Sequence, residues 1–369
     1  MNTWYNIKNI GEADSPALVI YPARVKKNIR LLKGMVDDVQ RLRPHVKTHK
    51  SKEASLLLME AGISKFKCAT IAEAEMLAQV HAQDVLLAYQ PVGPKVQRFI
   101  SLIKSYPSTK FSCLIDDFAA AQFLSAQAIE NNVEISVFID LNIGMNRTGI
   151  NPGTKALELY KRCSLSEGIM PIGLHVYDGH INDVDFTVRR ERCDEDFIPV
   201  NFLKNAIIKE GFAAPIIVVG GSPTFPIHAK RKGVECSPGT FIFWDAGYRQ
   251  TLIEQFFFPA ALVITRIISL PTETTLCLDL GHKSIAAENE LSKRVYFLNA
   301  PELKAIGQSE EHLIMQTDIG HDYKVGDVLY GLPFHICPTC ALYERALTVE
   351  DEMINGEWKI VARDRKINV

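Results

Sequence analysis

The 369-residue chain lacks the features that would take a protein into a membrane or onto a polyanion. Residues 1–10 contain no apolar core of signal-peptide length. The longest greasy stretches, residues 214–219 and 256–264, fall far short of the roughly 20 residues that span a bilayer. Charge of one sign is missing too. Lys and Arg number 41 against 43 Asp and Glu, a net charge of −2, so no basic field exists to hold nucleic acid or an anionic surface. Cysteine is sparse: eight residues, at 68, 113, 163, 193, 236, 277, 337 and 340. Without an export signal they read as reduced thiols of a cytosolic protein. No internal repeat or low-complexity segment stands out.

What is present is ordinary globular material. Hydrophobic residues make up 47% and charged residues 23%, enough for a sizeable core and against disorder. At about 100–200 residues per domain, the length predicts two domains, or one large barrel with an appendage.

Two textures follow one another. From about residue 17 to 242, short apolar runs alternate with amphipathic segments. Leu18-Val-Ile20 precedes a helical pattern over 25–35, and the run 66–69 precedes a helix opening with Thr70-Ile-Ala-Glu73. That tetrad has capping-box form, a hydroxyl and a carboxylate three apart. Val96, Phe99, Ile100 and Ile103 share one helical face. Repeated β-then-α units imply a parallel sheet, and eight or so of them suggest closure into a barrel. From residue 251 the runs are β-branched and separated by turn residues. The expected architecture is α/β: a (β/α)8 barrel over 15–250, then a mostly β C-terminal domain over 251–369. Whether residues 1–14 pack with the second domain is left open.

Five segments could carry chemistry. Arg43-Pro-His-Val-Lys-Thr-His-Lys50 follows an apolar run and precedes a helical pattern, which puts it at the C-terminal end of a strand, where barrel enzymes act. Lys47 alternates with apolar Val46, so it would face the barrel interior, and a desolvated lysine suits Schiff-base chemistry. A basic surface turn explains the same residues. Gly220-Gly-Ser-Pro-Thr224 follows the run 216–219 and reads as a phosphate cradle or as an ordinary strand-to-helix turn. His335 and Cys337, two apart in an extended chain, would share a face and suit zinc. Reduced cysteines beside a core histidine fit equally well. The Cys337/Cys340 pair has no second CxxC to complete a knuckle. Ile143-Gly-Met-Asn-Arg-Thr-Gly149 and His175-Val-Tyr-Asp-Gly-His180 each follow a strand candidate, with Arg147 and Tyr177 as possible cofactor contacts or loop scaffolding.

Together, RPHVKTHK, the run KFKCATIAEAEMLA at 65–78, GMNRTG, GGSPT and the late HxC resemble one family. It is the metal-activated branch of pyridoxal-phosphate enzymes of alanine-racemase-like fold, the D-threonine aldolases and D-serine dehydratases. The likeness runs from about residue 15 to 365. It implies that Lys47 carries pyridoxal 5'-phosphate as a Schiff base, flanked by His45 and His49. It further implies Arg147 beside the cofactor ring and Tyr177 beside the pyridine nitrogen. Gly220, Gly221, Ser222 and Thr224 would meet the phosphate, and His335 and Cys337 a divalent metal, zinc or manganese.

The chain departs from the pattern in two places. Aldolase members often carry Asp where Cys337 stands, and dehydratase members carry Cys. Some aldolases have a His six residues after the tyrosine; here that position is Asp183, and His180 lies three after it. The expectation is a lyase acting on a β-hydroxy D-amino acid, retro-aldol cleavage being favoured over dehydration, with Lys47 and His180 as catalytic groups. A small-molecule amino acid is the expected partner, with neither nucleic acid nor membrane, and the resemblance implies a homodimer. A non-catalytic pyridoxal-phosphate carrier would share the barrel but lack the second domain. A racemase would need a second acid or base and no metal.

Overall fold

The structure, a computed structural model, describes residues 3–369. Contacts divide the chain into two compact units. One comprises residues 32–47, 55–239 and 364–369; the other comprises the chain up to 31, with 48–54 and 240–363.

The first unit holds a seven-stranded parallel sheet. Its strands, in order, are Lys65–Cys68, Asp84–Leu87, Lys110–Ile115, Ile135–Leu141, Ile169–Val176, Ile216–Val219 and Glu235–Cys236. A less regular segment closes the ring. Leu42 bridges Cys236 and His45 bridges Lys67, both in parallel sense. The Arg43 amide donates to the Cys236 carbonyl at 2.8 Å, and the Lys67 amide donates to the Pro44 carbonyl at 2.9 Å. Pro44 has no N–H to give, which is why this eighth stave pairs without forming a regular strand. The result is the closed β/α barrel expected from the alternation, as the family resemblance also implies.

Local signals set the helices around it. Thr70 Oγ accepts from the Glu73 amide at 3.1 Å, and the Glu73 carboxylate accepts from the Ala69 amide at 2.6 Å. The capping box therefore forms at the start of helix Ile71–Gln79. Helix Pro94–Ser105 begins with proline and buries Val96, Phe99 and Ile100.

Along the strands, the barrel interior is layered by the two-residue period. Near the N-terminal ends, buried Arg43 reaches Asp84 and, at 2.7 Å, Glu235, and Lys65 pairs with Glu235 as well. Leu86, Leu114, Phe138 and Val218 fill the middle. Two residues farther on stand Asp140 after Phe138, and Gly220 after Val218.

The second unit is a nine-stranded sheet. Strand Ala17–Ile20 lies between Ala261–Thr272, antiparallel, and Arg345–Glu350, parallel. The alternation of the sequence had grouped this strand with the barrel. A four-residue apolar run is equally at home in either sheet, so periodicity could not tell them apart. Trp4, Tyr5, Ile7 and Ile10 pack in the core of this unit with Val19, Leu262 and Tyr330. Among the described residues, no helix is long and apolar enough to cross a membrane.

The Arg43 cluster yields the first prediction. Removing one partner of a buried ion pair strands the others, at a cost of about 3–5 kcal/mol. Arg43→Ala should lower unfolding free energy by that amount in denaturant titrations. A loss below about 1 kcal/mol, the worth of an exposed pair, would show that the cluster does not hold the ring.

Candidate active site

The barrel's C-terminal end gathers most of the residues singled out from the sequence. Lys47 sits in a short 3-10 turn, Val46–Thr48, and its amide donates to no strand but to His45 Nδ1, at 3.2 Å. Lys67 stands on the neighbouring strand, 2% exposed. Its Nζ is 5.7 Å from the centroid of the Tyr177 ring, and the Arg147 guanidinium is 4.8 Å from the same centroid. Gly221 borders that ring too: a Cβ there would lie 3.3 Å from Tyr177 Cε2. Lys47, Lys67, Arg147, Tyr177 and the glycine turn thus share one end of one barrel.

A histidine–carboxylate pair lies in the same layer. His175 Nδ1 and Asp140 Oδ1 are 2.7 Å apart, both residues buried. Burial lowers the proton affinity of His175, against the pull of Asp140. With Nδ1–H given to the carboxylate, Nε2 is a bare lone pair, and it is buried with no partner. His180 makes its own pair, Nε2 to Asp196 Oδ2 at 2.9 Å, and leaves Nδ1 buried and unpartnered. Its ring lies against Gly144 in the GMNRTG loop, where φ is +132° and a Cβ would be 2.5 Å from Nε2. Only glycine lets that loop pass.

The turn after strand Ile216–Val219 is held from behind. Gly220 has φ +73°, and a Cβ there would meet Thr224 Oγ1 and His228 Cδ2 at 2.9 Å. The Thr224 hydroxyl donates to Asp178 Oδ1 at 2.8 Å. That proton is therefore committed, and what Thr224 can offer an anion is its main chain. Ser222 Oγ accepts from the Gly239 amide at 3.4 Å. Beside the turn, Ser237, whose amide donates to the Val219 carbonyl, keeps a buried hydroxyl with no partner.

In the other unit, His335 and Cys337 are not in an extended strand as expected. His335 caps helix Ile336–Leu342, and Cys337 lies in its first turn. Their side chains still meet through a hydrogen bond. Asp245, buried and raised by desolvation to about 6, accepts from the Ile336 amide at 3.1 Å and pins this turn. Burial works against the charge of His335, but Cys337, Glu288 and Asp245 together raise it to about 9. Thr48 Oγ1 lies 3.1 Å and Thr240 Oγ1 3.7 Å from Cys337 Sγ. His49 is buried, pushed by desolvation to about 3, and its Nε2 has no partner.

Four elements of the site escaped the sequence reading: Lys67, the Asp140–His175 pair, Ser237, and a buried cluster of Asp178, Cys193 and His228. In that cluster the ligand-type atoms lie within 4.8 Å of one another. It is the one such group of three metal-competent side chains among the described residues.

Comparison with known proteins places this geometry. Residues 20–246 match the family described as "Alanine racemase, N-terminal domain". The chain belongs to that family. Residues 260–349 match a second description, "Putative serine dehydratase domain". A D-threonine aldolase from Arthrobacter is 25% identical, covering 96% of this chain and 94% of the relative. A D-threo-3-hydroxyaspartate dehydratase from Delftia is 24% identical over 89% of this chain and 92% of its own. Among solved structures, a D-threonine aldolase from Filomicrobium marinum superposes with a TM-score of 0.88 at 22% identity, covering 98% of this chain and 99% of that one.

The pH dependence of stability tests the buried amine. Desolvation, aided by the charge of Lys47, pulls Lys67 from 10.5 down to about 7. Between those values the unfolded chain binds a proton that the folded chain does not, so stability rises with pH across the window. Lys67→Met removes this penalty. The ligand-free variant should melt several degrees above wild type at neutral pH, with each kcal/mol worth about 2–4 °C. The gain should vanish near pH 10.5; a shift equal at both ends would mean that Lys67 is not buried as an amine.

Proposed function

We propose that the chain is a pyridoxal-phosphate- and divalent-metal-dependent lyase that cleaves a β-hydroxy D-amino acid to glycine and an aldehyde, as a D-threonine aldolase does. The observation that carries the reading is the pair of barrel lysines, Lys47 and Lys67, beside Tyr177 and the glycine turn, in a chain alike in sequence to an aldolase over 96% of its length.

The residues suit both groups. A phosphate finds Ser222, the main chain of Thr224 and the unpartnered Ser237 hydroxyl, with the Gly221 amide, held at 3.4 Å by Thr224 Oγ1, free to turn to it, while the Gly220 amide is committed to the Val176 carbonyl. The bare His175 Nε2 and the Lys67 amine await partners of their own. For a metal, His335 gives Nδ1 to Glu288, which leaves Nε2 to ligate beside the Cys337 sulfur. Imidazole and thiolate favour zinc, with manganese as the alternative. Bound there, the cofactor would supply an electron sink at Cα and the metal a Lewis acid at the β-hydroxyl.

The chain's own groups do the rest. Lys47 holds the cofactor. Arg147 and Tyr177 orient its ring. His180, its Nε2–H given to Asp196, can take the hydroxyl proton at Nδ1 as the Cα–Cβ bond breaks. Dehydration is the second reading, favoured by Cys337: a thiolate gives a metal more charge than a carboxylate would, and softens its pull on the hydroxyl. In that case Lys47 takes the Cα proton instead. The reading includes a cytosolic location, supported by eight cysteines free of disulfides, and a homodimer, for which exposed Ile198 and Phe202, one turn apart on helix Phe186–Lys209, offer a face.

Two experiments test this. Borohydride reduction of the yellow protein should fix the cofactor to the peptide containing Lys47; recovery on Lys50 or Lys52 would overturn the assignment. D-Threonine should give glycine and acetaldehyde, and chelator should abolish turnover. If 2-oxobutanoate and ammonia appear alone, the enzyme is a dehydratase. Equal turnover of L-threonine would remove the stereochemical part of the reading.

A further inference from the structure

Lys67 has an environment that packing alone does not explain. It is 2% exposed, on the strand next to the stave that leads into Lys47. The same interior elsewhere is filled by Leu86, Leu114 and Phe138, and a hydrocarbon side chain would fill this space equally well. The Lys67 ammonium makes no hydrogen bond among the described residues. The groups that face it are Lys47 from the short turn, Asp140 and His175 from two adjacent strands, Asp178 beyond the second, and Arg43 from the opposite end of the barrel. Its close neighbour is the Tyr177 ring, at 5.7 Å. A buried amine without an acceptor costs stability unless a bound molecule provides one.

We propose that Lys67 donates a hydrogen bond to the ring nitrogen of bound pyridoxal phosphate, beside Tyr177, and thereby sets how strongly the ring draws electrons. This rests on the cofactor reading above. A phenol is a poor proton source for a pyridine nitrogen, and Tyr177 alone would leave the ring a weak sink. A lysine that shares its proton with that nitrogen supplies the missing positive charge. The charge of Lys67 opposes that of Lys47, so the amine can change protonation near neutrality rather than stay charged throughout. No bond is made or broken; the proton stays between the amine and the ring. Lys67 is thus a positioning and tuning group for the cofactor, and its signature is spectroscopic.

The test compares holoprotein of wild type, Lys67→Met and Lys67→Arg. Absorbance of the bound cofactor is followed across the neutral pH range, together with its dissociation on dialysis. Wild type should show a spectral transition near neutrality. Lys67→Met should lose that transition and release cofactor about tenfold faster or more, the worth of one charge-assisted hydrogen bond. Lys67→Arg should keep the low-pH spectrum throughout. Borohydride should label Lys47 in all three. An unchanged titration and unchanged retention in Lys67→Met would overturn the proposal while leaving the cofactor reading intact. Failure of wild type to bind pyridoxal phosphate would overturn both. Should Lys67→Met not fold, a wild-type spectrum that is flat through neutrality, or a Lys67→Arg protein that titrates like wild type, overturns it.

Discussion

The barrel depends on one guanidinium. Arg43 lies on the irregular stave that closes the ring, and its side chain joins Asp84, two strands along on one side, to Glu235 on the adjacent strand of the other. Pro44 removes a backbone donor at the very place where the ring must shut, so closure leans on side chains more than a regular strand would require. An ion pair this deep carries a heavy desolvation cost. It is offset here because Arg43 serves two carboxylates at once, its Nε on Glu235 and its terminal nitrogens on Asp84. The stave so fixed runs straight on to Lys47.

The layering follows from that closure. With charge satisfied at the N-terminal ends and hydrocarbon in the middle, the C-terminal ends hold several polar groups left unpaired. His175 Nε2 and the Ser237 hydroxyl are both buried without partners there. Dry surroundings push Lys67 and His175 toward their neutral forms and strengthen any electrostatic contact a ligand brings. The fold thus spends the stability gained in the lower layers on unsatisfied groups in the upper one.

Much of this was legible in the residues. The Thr70–Glu73 box, the helical face of Val96, Phe99 and Ile100, and the strand-then-turn form of residues 216–224 all carry local signals with fixed spacing. What stayed hidden lacked such signals. In Lys65-Phe-Lys-Cys68 the cations alternate with apolar residues, which reads as a half-solvated strand; only closure of the ring turns that polar face inward. The strand Ala17–Ile20 is too short to declare its sheet. His335 and Cys337 keep company through one helical turn rather than across a pleat, since Asp245, ninety residues earlier in sequence, pins the Ile336 amide. No spacing rule reaches so far.

The same limit applies to Asp178, Cys193 and His228, and here the tautomer decides what the cluster does. Arg231 Nε donates to His228 Nδ1 at 3.4 Å, so the imidazole proton sits on Nε2, facing Asp178 Oδ2 at 2.8 Å. Burial holds the Cys193 thiol well above its ordinary pKa, hence protonated. With these protons in place the three side chains form a hydrogen-bonded clamp, with Thr224 as its fourth member; a metal there would have to displace both protons. His335 has the opposite arrangement: its Nδ1 faces the Glu288 carboxylate, which leaves the lone pair on Nε2. Two histidines near sulfur therefore take different parts. His228, through Asp178, ties the residue after Tyr177 to the glycine turn, while His335 keeps its Nε2 clear of Glu288.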